Sequence, residues 1–182
     1  MPAASPENTP DPRDKNSDSP SRLPVAHLVE RLSKNVFGAP DLGREAMLLV
    51  HRTSLLSQEM NKPIFAAEDL APGAAEVLLT LRSFPAPHRR TPTELSESIL
   101  MSIGGLSKAI REVETRGFVA RQRNAHDARS VFIELTPKGV LVANRLLIAL
   151  AETDAGIVRT GLDEKELELL VLLLRKVLSS HE

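Results

Sequence analysis

Over residues 91–139 the apolar period changes from helical to alternating and back to helical, and few folds accommodate that change. Thr91-Pro92-Thr93-Glu94 opens the stretch with a threonine that can cap, a proline suited to the first helical turn and a glutamate at capping-box spacing. Leu95, Ile99 and Leu100 give this helix its core side. Ser102 can cap a second helix that starts a residue or two later. Ile103, Leu106, Ile110 and Val113 form its apolar stripe; Gly104, Gly105, Lys108, Arg111, Glu112 and Thr115 fall on the other side, and Gly117 is a natural stop. Two short strands are expected next, 118–123 and 131–135, the second alternating through Val131, Ile133 and Leu135. A polar tip, 124–129, joins them, and Thr136-Pro137 opens another helix. Two helices separated by a tight turn and followed by a hairpin predict a helix-turn-helix with a β wing.

The flanks predict further helices. Residues 25–37 read as a short amphipathic helix stopped by Gly38 and Pro40. From a cap at Asp41, the residues Leu42, Ala46, Leu49, Thr53, Leu56 and Met60 recur at four- and three-residue spacings, a packing seam that Pro63 is expected to end. A helix over 72–84, apolar at Val77, Leu78 and Leu81, is broken by Pro85 and Pro87. Helices from 137 to about 156 and from 163 to about 179 complete the set. The last is apolar nearly all round, through Leu167, Leu169, Leu170, Val171, Leu172, Leu173, Leu174, Val177 and Leu178. A monomer does not leave such a helix at its surface, so a subunit interface built from the two chain ends is expected. The architecture expected is therefore mostly α with a small β-hairpin wing. A winged helix-turn-helix lobe spans about 70–136, flanked by N- and C-terminal dimerisation helices over about 25–61 and 137–182. Residues 1–24, rich in Pro, Ser, Asp and Asn, are expected to be a disordered tail.

Composition narrows the function classes. The formal net charge is -1, so a nucleic-acid partner must be met by a local patch. There is no cysteine, which removes disulfides, thiolate metal sites and thiol nucleophiles together. No apolar run reaches the roughly 18 residues that span a bilayer, and the N-terminus has no apolar signal core. No membrane association is expected, and the location expected is cytoplasmic. His51, His88 and His126 are too scattered to form a metal cluster, and Gly104-Gly105 sits inside a helix rather than in a phosphate loop. No metal, cofactor or enzymatic activity is expected.

Positive charge concentrates at one place in this neutral chain. Lys108 and Arg111 lie on the second helix, and Arg121, Arg123, His126 and Arg129 lie along the hairpin. Small residues beside the helical cations let a helix approach base edges, while the cations donate to guanine or phosphate. The DNA-facing set expected is Ser102, Gly104, Gly105, Ser107, Lys108, Arg111, Arg123, Asp127 and Arg129. A homodimer binding double-stranded DNA follows. The competing reading is a winged-helix adaptor that contacts protein; it would call for an apolar or acidic face where only Glu112 is acidic.

The same residues carry a family resemblance. Thr91…Glu94-Leu95-Ser96, Val113-Glu114-Thr115-Arg116-Gly117-Phe118-Val119-Ala120-Arg121, Asp127-Ala128-Arg129 and Leu135-Thr136-Pro137-Lys138-Gly139 resemble the winged helix of the MarR family of transcriptional regulators. The resemblance implies a repressor acting as a homodimer on a pseudo-palindromic operator, with the 102–116 helix in the major groove. It also implies that Arg129 enters the minor groove, oriented by Asp127. Ala128 stands where the family often has an arginine. The chain is particularly similar to the branch that includes urate-responsive regulators. That branch uses a tryptophan, an aspartate and two arginines; here there is no tryptophan, Glu76 replaces the aspartate, Ala109 the first arginine, and Arg121 matches the second. The resemblance thus implies a small anionic or aromatic effector other than urate, with Glu76 and Arg121 as its polar contacts.

Overall fold

The computed structural model describes residues 24–37, 41–99, 103–123 and 130–181. Among them run α1 (Val25–Leu32), α2 (Leu42–Ala67), α3 (Pro72–Ser83), β1 (Arg89–Arg90), α4 (Pro92–Ser98), α5 (Ile103–Thr115), β2 (Val119–Arg123), β3 (Val131–Leu135), α6 (Pro137–Arg159) and α7 (Glu164–Leu178). The architecture is mostly helical with one small antiparallel sheet. The expected tail, apart from Pro24, lies outside the described residues, as do Ser102 and the hairpin tip with Asp127 and Arg129. The chain divides into two units, Met1–Arg52 and Thr53–Glu182.

In the first unit, α1 buries no residue and passes into a π-helical turn, Ser33–Phe37. Lys34 reaches back one turn to Glu30 at 2.6 Å. Asp41 starts α2 as its position predicts. Its carboxylate accepts from the N–H groups of Gly43 at 2.9 Å and Arg44 at 3.2 Å, two of the donors a helix start leaves unpaired.

Helix α2 corrects one expectation: it runs through Pro63 instead of ending there. Proline removes a backbone donor and crowds the carbonyl one turn back, at a cost of about 3 kcal/mol in a helix interior. Directly beyond it, Ile64 and Phe65 pack against the core of the second unit. Both are partly buried, so each contributes a share of the roughly 1.5–3 kcal/mol that full burial of such a side chain gives, and this tertiary packing works against the local break.

The second unit is organised around α3, which buries Ala74, Ala75, Val77, Leu78 and Leu81 and packs on α5 and α6. Two alanines in succession let those neighbours come close. The helix opens on Ala71, which has no side-chain oxygen for a cap; Glu112 of α5 instead accepts the Ala71 N–H at 2.9 Å. The core is completed by Leu70, Leu95, Ile99, Leu106, Ala109, Ile110, Val113, Phe118, Val119, Ile133, Leu135, Val142, Ala143 and Leu146.

The sheet has one strand beyond the two expected. Its order is β1-β3-β2, antiparallel throughout, with Arg89 opposite Glu134 and Arg90 opposite Ile133. A two-residue strand behind Pro85 and Pro87 has no period of its own; pairing with β3 alone makes it one. Gly117, at φ 70, turns α5 into β2, a conformation that costs a side chain but not glycine. Thr136 then caps α6 by accepting from the Gly139 N–H at 3.1 Å. Gly139 is required there for a second reason: a Cβ would overlap the Phe118 carbonyl oxygen and come within 3.2 Å of Leu135. At the far end, Asp163 and Glu166 form a capping box for α7. No residue of α7 is buried; Leu172 is 62% and Leu178 59% exposed.

Candidate nucleic-acid interface

The interface is built from α4, α5 and the sheet. Thr91 accepts from the Glu94 N–H at 3.2 Å, and Glu94 returns by accepting from the Thr91 N–H at 2.7 Å, so both halves of the capping box are made. The Thr91 backbone N–H holds the Glu94 carboxyl below the usual carboxylate range. Helix α4 ends at Ser98 with Ile99 extended, and α5 begins at Ile103. That separation is the helix-turn-helix arrangement the spacing predicts.

Helix α5 sorts its residues into two faces. Leu106, Ala109, Ile110 and Val113 are buried, within one sector of a 3.6-residue wheel. Gly104, Gly105, Ser107, Lys108, Arg111 and Thr115 are exposed on the other. Lys108 and Arg111 are three residues apart and therefore neighbours on that face. A Cβ added at Gly104 would meet nothing within 4 Å, so nothing in the fold accounts for a glycine there. Glu112 belongs with the tertiary contacts, through its bond to Ala71, and not with the open face.

The cations of the winged helix fall into two groups. One group is tied down. Arg121 donates from Nε to Glu114 at 3.0 Å and 3.2 Å, locking β2 onto α5. Arg116 pairs with Asp69 at 3.1 Å and lies 5.3 Å from the Phe118 ring centroid. Lys138 lies 4.9 Å from the same ring and donates to the Arg116 carbonyl at 3.1 Å. On β1, Arg90 stacks 3.7 Å from Phe84, and Arg89 stacks 4.8 Å from Phe132 with Glu134 at 3.7 Å. The other group is Lys108, Arg111 and Arg123, all exposed; no ion pair with a described residue engages any of them.

The described set expected to face DNA thus divides cleanly: Gly104, Gly105, Ser107, Lys108 and Arg111 share the outer face of α5, and Arg123 ends β2. Ser102, Asp127 and Arg129 lie outside the described residues. Glu76 and Arg121 are not brought together. Glu76 lines a cleft of about 780 Å³ between α2, α3 and the end of α4, and Arg121 is not among the residues lining it. Arg89 and Arg90 were absent from the sequence-derived set, although two adjacent arginines just before the Thr91 cap add to the local charge. The proline-broken stretch before them hid the strand that carries them.

Comparison with known proteins places this arrangement. Residues 68–130 match the family model described as MarR family. The HTH-type transcriptional regulator PecS of Dickeya dadantii is 29% identical over 154 residues, covering 83% of this chain and 91% of the relative. MarR of E. coli in its reduced form is 26% identical with a TM-score of 0.62, covering 76% of this chain and 96% of that one. A mutant form of the E. coli protein complexed with operator DNA superposes with a TM-score of 0.64 at 23% identity, covering 81% and 97%. Over residues 68–130 the chain thus matches the MarR family model, and its helix-turn-helix, sorted recognition helix and strand-paired wing resemble those of the HTH-type transcriptional regulators it is similar to.

Proposed function

We propose that the chain is an effector-responsive repressor that binds a pseudo-palindromic operator as a homodimer in the cytoplasm. The observation that carries the DNA-facing assignment is the division of cations. Arginines with structural duties are paired, whereas Lys108, Arg111 and Arg123 keep their charge for a partner outside the lobe. An unpaired exposed cation releases condensed counterions when it meets phosphate, and such contacts supply most of the affinity. Gly104, Gly105, Ser107 and, at the helix start, Ser102 let α5 sit close in the major groove. Arg129, oriented by Asp127, reaches the minor groove from the wing. Among the described residues, no helix is long and apolar enough to cross a membrane.

The dimer reading rests on unpartnered apolar surface. The α7 side chains Leu169, Leu172, Leu173, Val177 and Leu178 are all more than half exposed, and Ile148 of α6 joins them at 62%. Segments 25–61 and 137–182 are the dimerisation helices in this reading. Two recognition helices would then meet half-sites about 10 bp apart, one turn of B-DNA. The effector reading draws on a relative of the same fold, BpsR of Bordetella bronchiseptica, whose DNA binding is regulated by 6-hydroxynicotinic acid. Sedimentation at micromolar concentration is expected to give a dimer, and footprinting of a selected duplex two protected half-sites. A monodisperse monomer, or protection of a single half-site, contradicts the proposal.

A further inference from the structure

The cleft beside Glu76 has a chemistry of its own. Its apolar walls include Phe65 and Leu79, and its volume of about 780 Å³ admits a drug-sized ring system. Its one cationic side chain among the described lining residues, Lys62, is already held by Glu59 at 2.7 Å. The hydroxyls of Ser83 and Ser98 donate to the carbonyls of Thr80 and Glu94. Two acceptors stand open beside the Thr80 hydroxyl. No hydrogen bond or ion pair with a described residue engages the Glu76 carboxylate. Asn61, nine-tenths buried in the wall, has an orphaned Oδ1. Its orientation is fixed by its neighbours: Ser57 Oγ gives its single proton to Asp154 at 3.0 Å, so it must accept from Asn61 Nδ2 at 3.2 Å. The one ionised group of the described lining without a partner is therefore negative, and a buried acceptor lies in the same wall.

We propose that this cleft takes an amphipathic organic cation, an aromatic ring system bearing an amidinium or protonated amine, which pairs with Glu76. This rests on the effector reading above and reverses the charge that the family resemblance implies for the ligand. A carboxylate ligand would set its charge against Glu76, and among the described lining residues the one cation, Lys62, is already paired with Glu59. An amidinium supplies two N–H donors in the plane that a carboxylate accepts best. The site spans α2, α3 and Ser98 at the end of α4, so occupancy bears on the helix that leads into α5.

The test uses the full chain and two isosteric probes of opposite charge, 2-naphthamidine and 2-naphthoate. Calorimetry reads binding, and polarisation of a labelled duplex reads DNA release. The naphthamidine is expected to bind and the naphthoate not. Glu76→Gln is expected to weaken naphthamidine about ten- to hundredfold, the loss of a charge-assisted pair. Glu76→Lys is expected to reverse the preference, with melting curves confirming that both variants fold. Tighter binding of naphthoate to the unmodified chain, binding of neither probe, or naphthamidine affinity indifferent to Glu76→Gln would overturn the proposal. Binding of naphthamidine that depends on Glu76 but leaves DNA affinity unchanged upholds the site and overturns the effector reading instead.

Discussion

Replacing Gly104 by alanine separates what the fold needs from what the DNA needs. Gly104 lies in the first turn of α5, with open space where an alanine methyl would sit and no left-handed φ. Alanine is favoured over glycine by up to about 1 kcal/mol in a helix interior, and roughly half of that is a reasonable share for the first turn. For a chain of 182 residues such a gain corresponds to a Tm about 1–2 °C higher. The same methyl would stand between the helix and a groove edge. Overpacking a close contact costs about 1–3 kcal/mol, or roughly a 5- to 150-fold loss of affinity. Gly104→Ala is therefore expected to be more stable and to bind a duplex selected by the parent chain more weakly. Thermal melts and fluorescence polarisation measure the two quantities on one preparation. A higher Tm with unchanged affinity would refute the reasoning, because the outer face of α5 would then touch nothing.

Other substitutions probe the scaffold. Gly139→Ala places a methyl on the Phe118 carbonyl oxygen, where backbone cannot easily yield; a destabilisation of about 3 kcal/mol and a Tm lower by about 6–12 °C are expected by calorimetry. Glu68 is held below the usual carboxylate range by the hydrogen bond from Arg145, at 2.6 Å, so its folded pKa lies under its unfolded one. The stability it contributes is present above the unfolded value and fades as pH falls through the folded one. Urea titrations from about pH 6 down to about pH 3 are accordingly expected to show a shallower acid loss for Glu68→Gln than for the parent chain. The effect is small because Arg145 is largely exposed to solvent.

Much of the fold was legible wherever a local signal decides the structure. The Thr91 and Thr136 caps, the Asp41 start and the alternation of Val131, Ile133 and Leu135 all stand as their spacings predict. What was not legible depends on distant partners. Pro63 obeys the local rule for a break, but Ile64 and Phe65 are drawn into packing that the rule does not see. Strand β1 exists only through Glu134 and Ile133. The recognition face could be read from the helical wheel, yet the division among cations could not. Arg116 finds Asp69 across 47 positions, and Arg121 finds Glu114 from the next strand. Glu112 likewise reads as a face residue until Ala71, 41 positions away, is placed beside it.

The central claim is that the unpaired cations on α5 are the DNA contacts and the paired ones are not. Affinity for a selected duplex, measured over a series of salt concentrations, tests it directly. Lys108→Ala and Arg111→Ala are each expected to lower the log–log salt slope by about one per subunit wherever the side chain meets a phosphate, or to cost about 1–3 kcal/mol at one base pair per half-site where it meets a base. Arg145→Ala, which breaks the pair between this α6 residue and Glu68 just beyond α2, is expected to leave both quantities unchanged. Equal losses in all three variants, or none in Lys108→Ala and Arg111→Ala, would contradict the account.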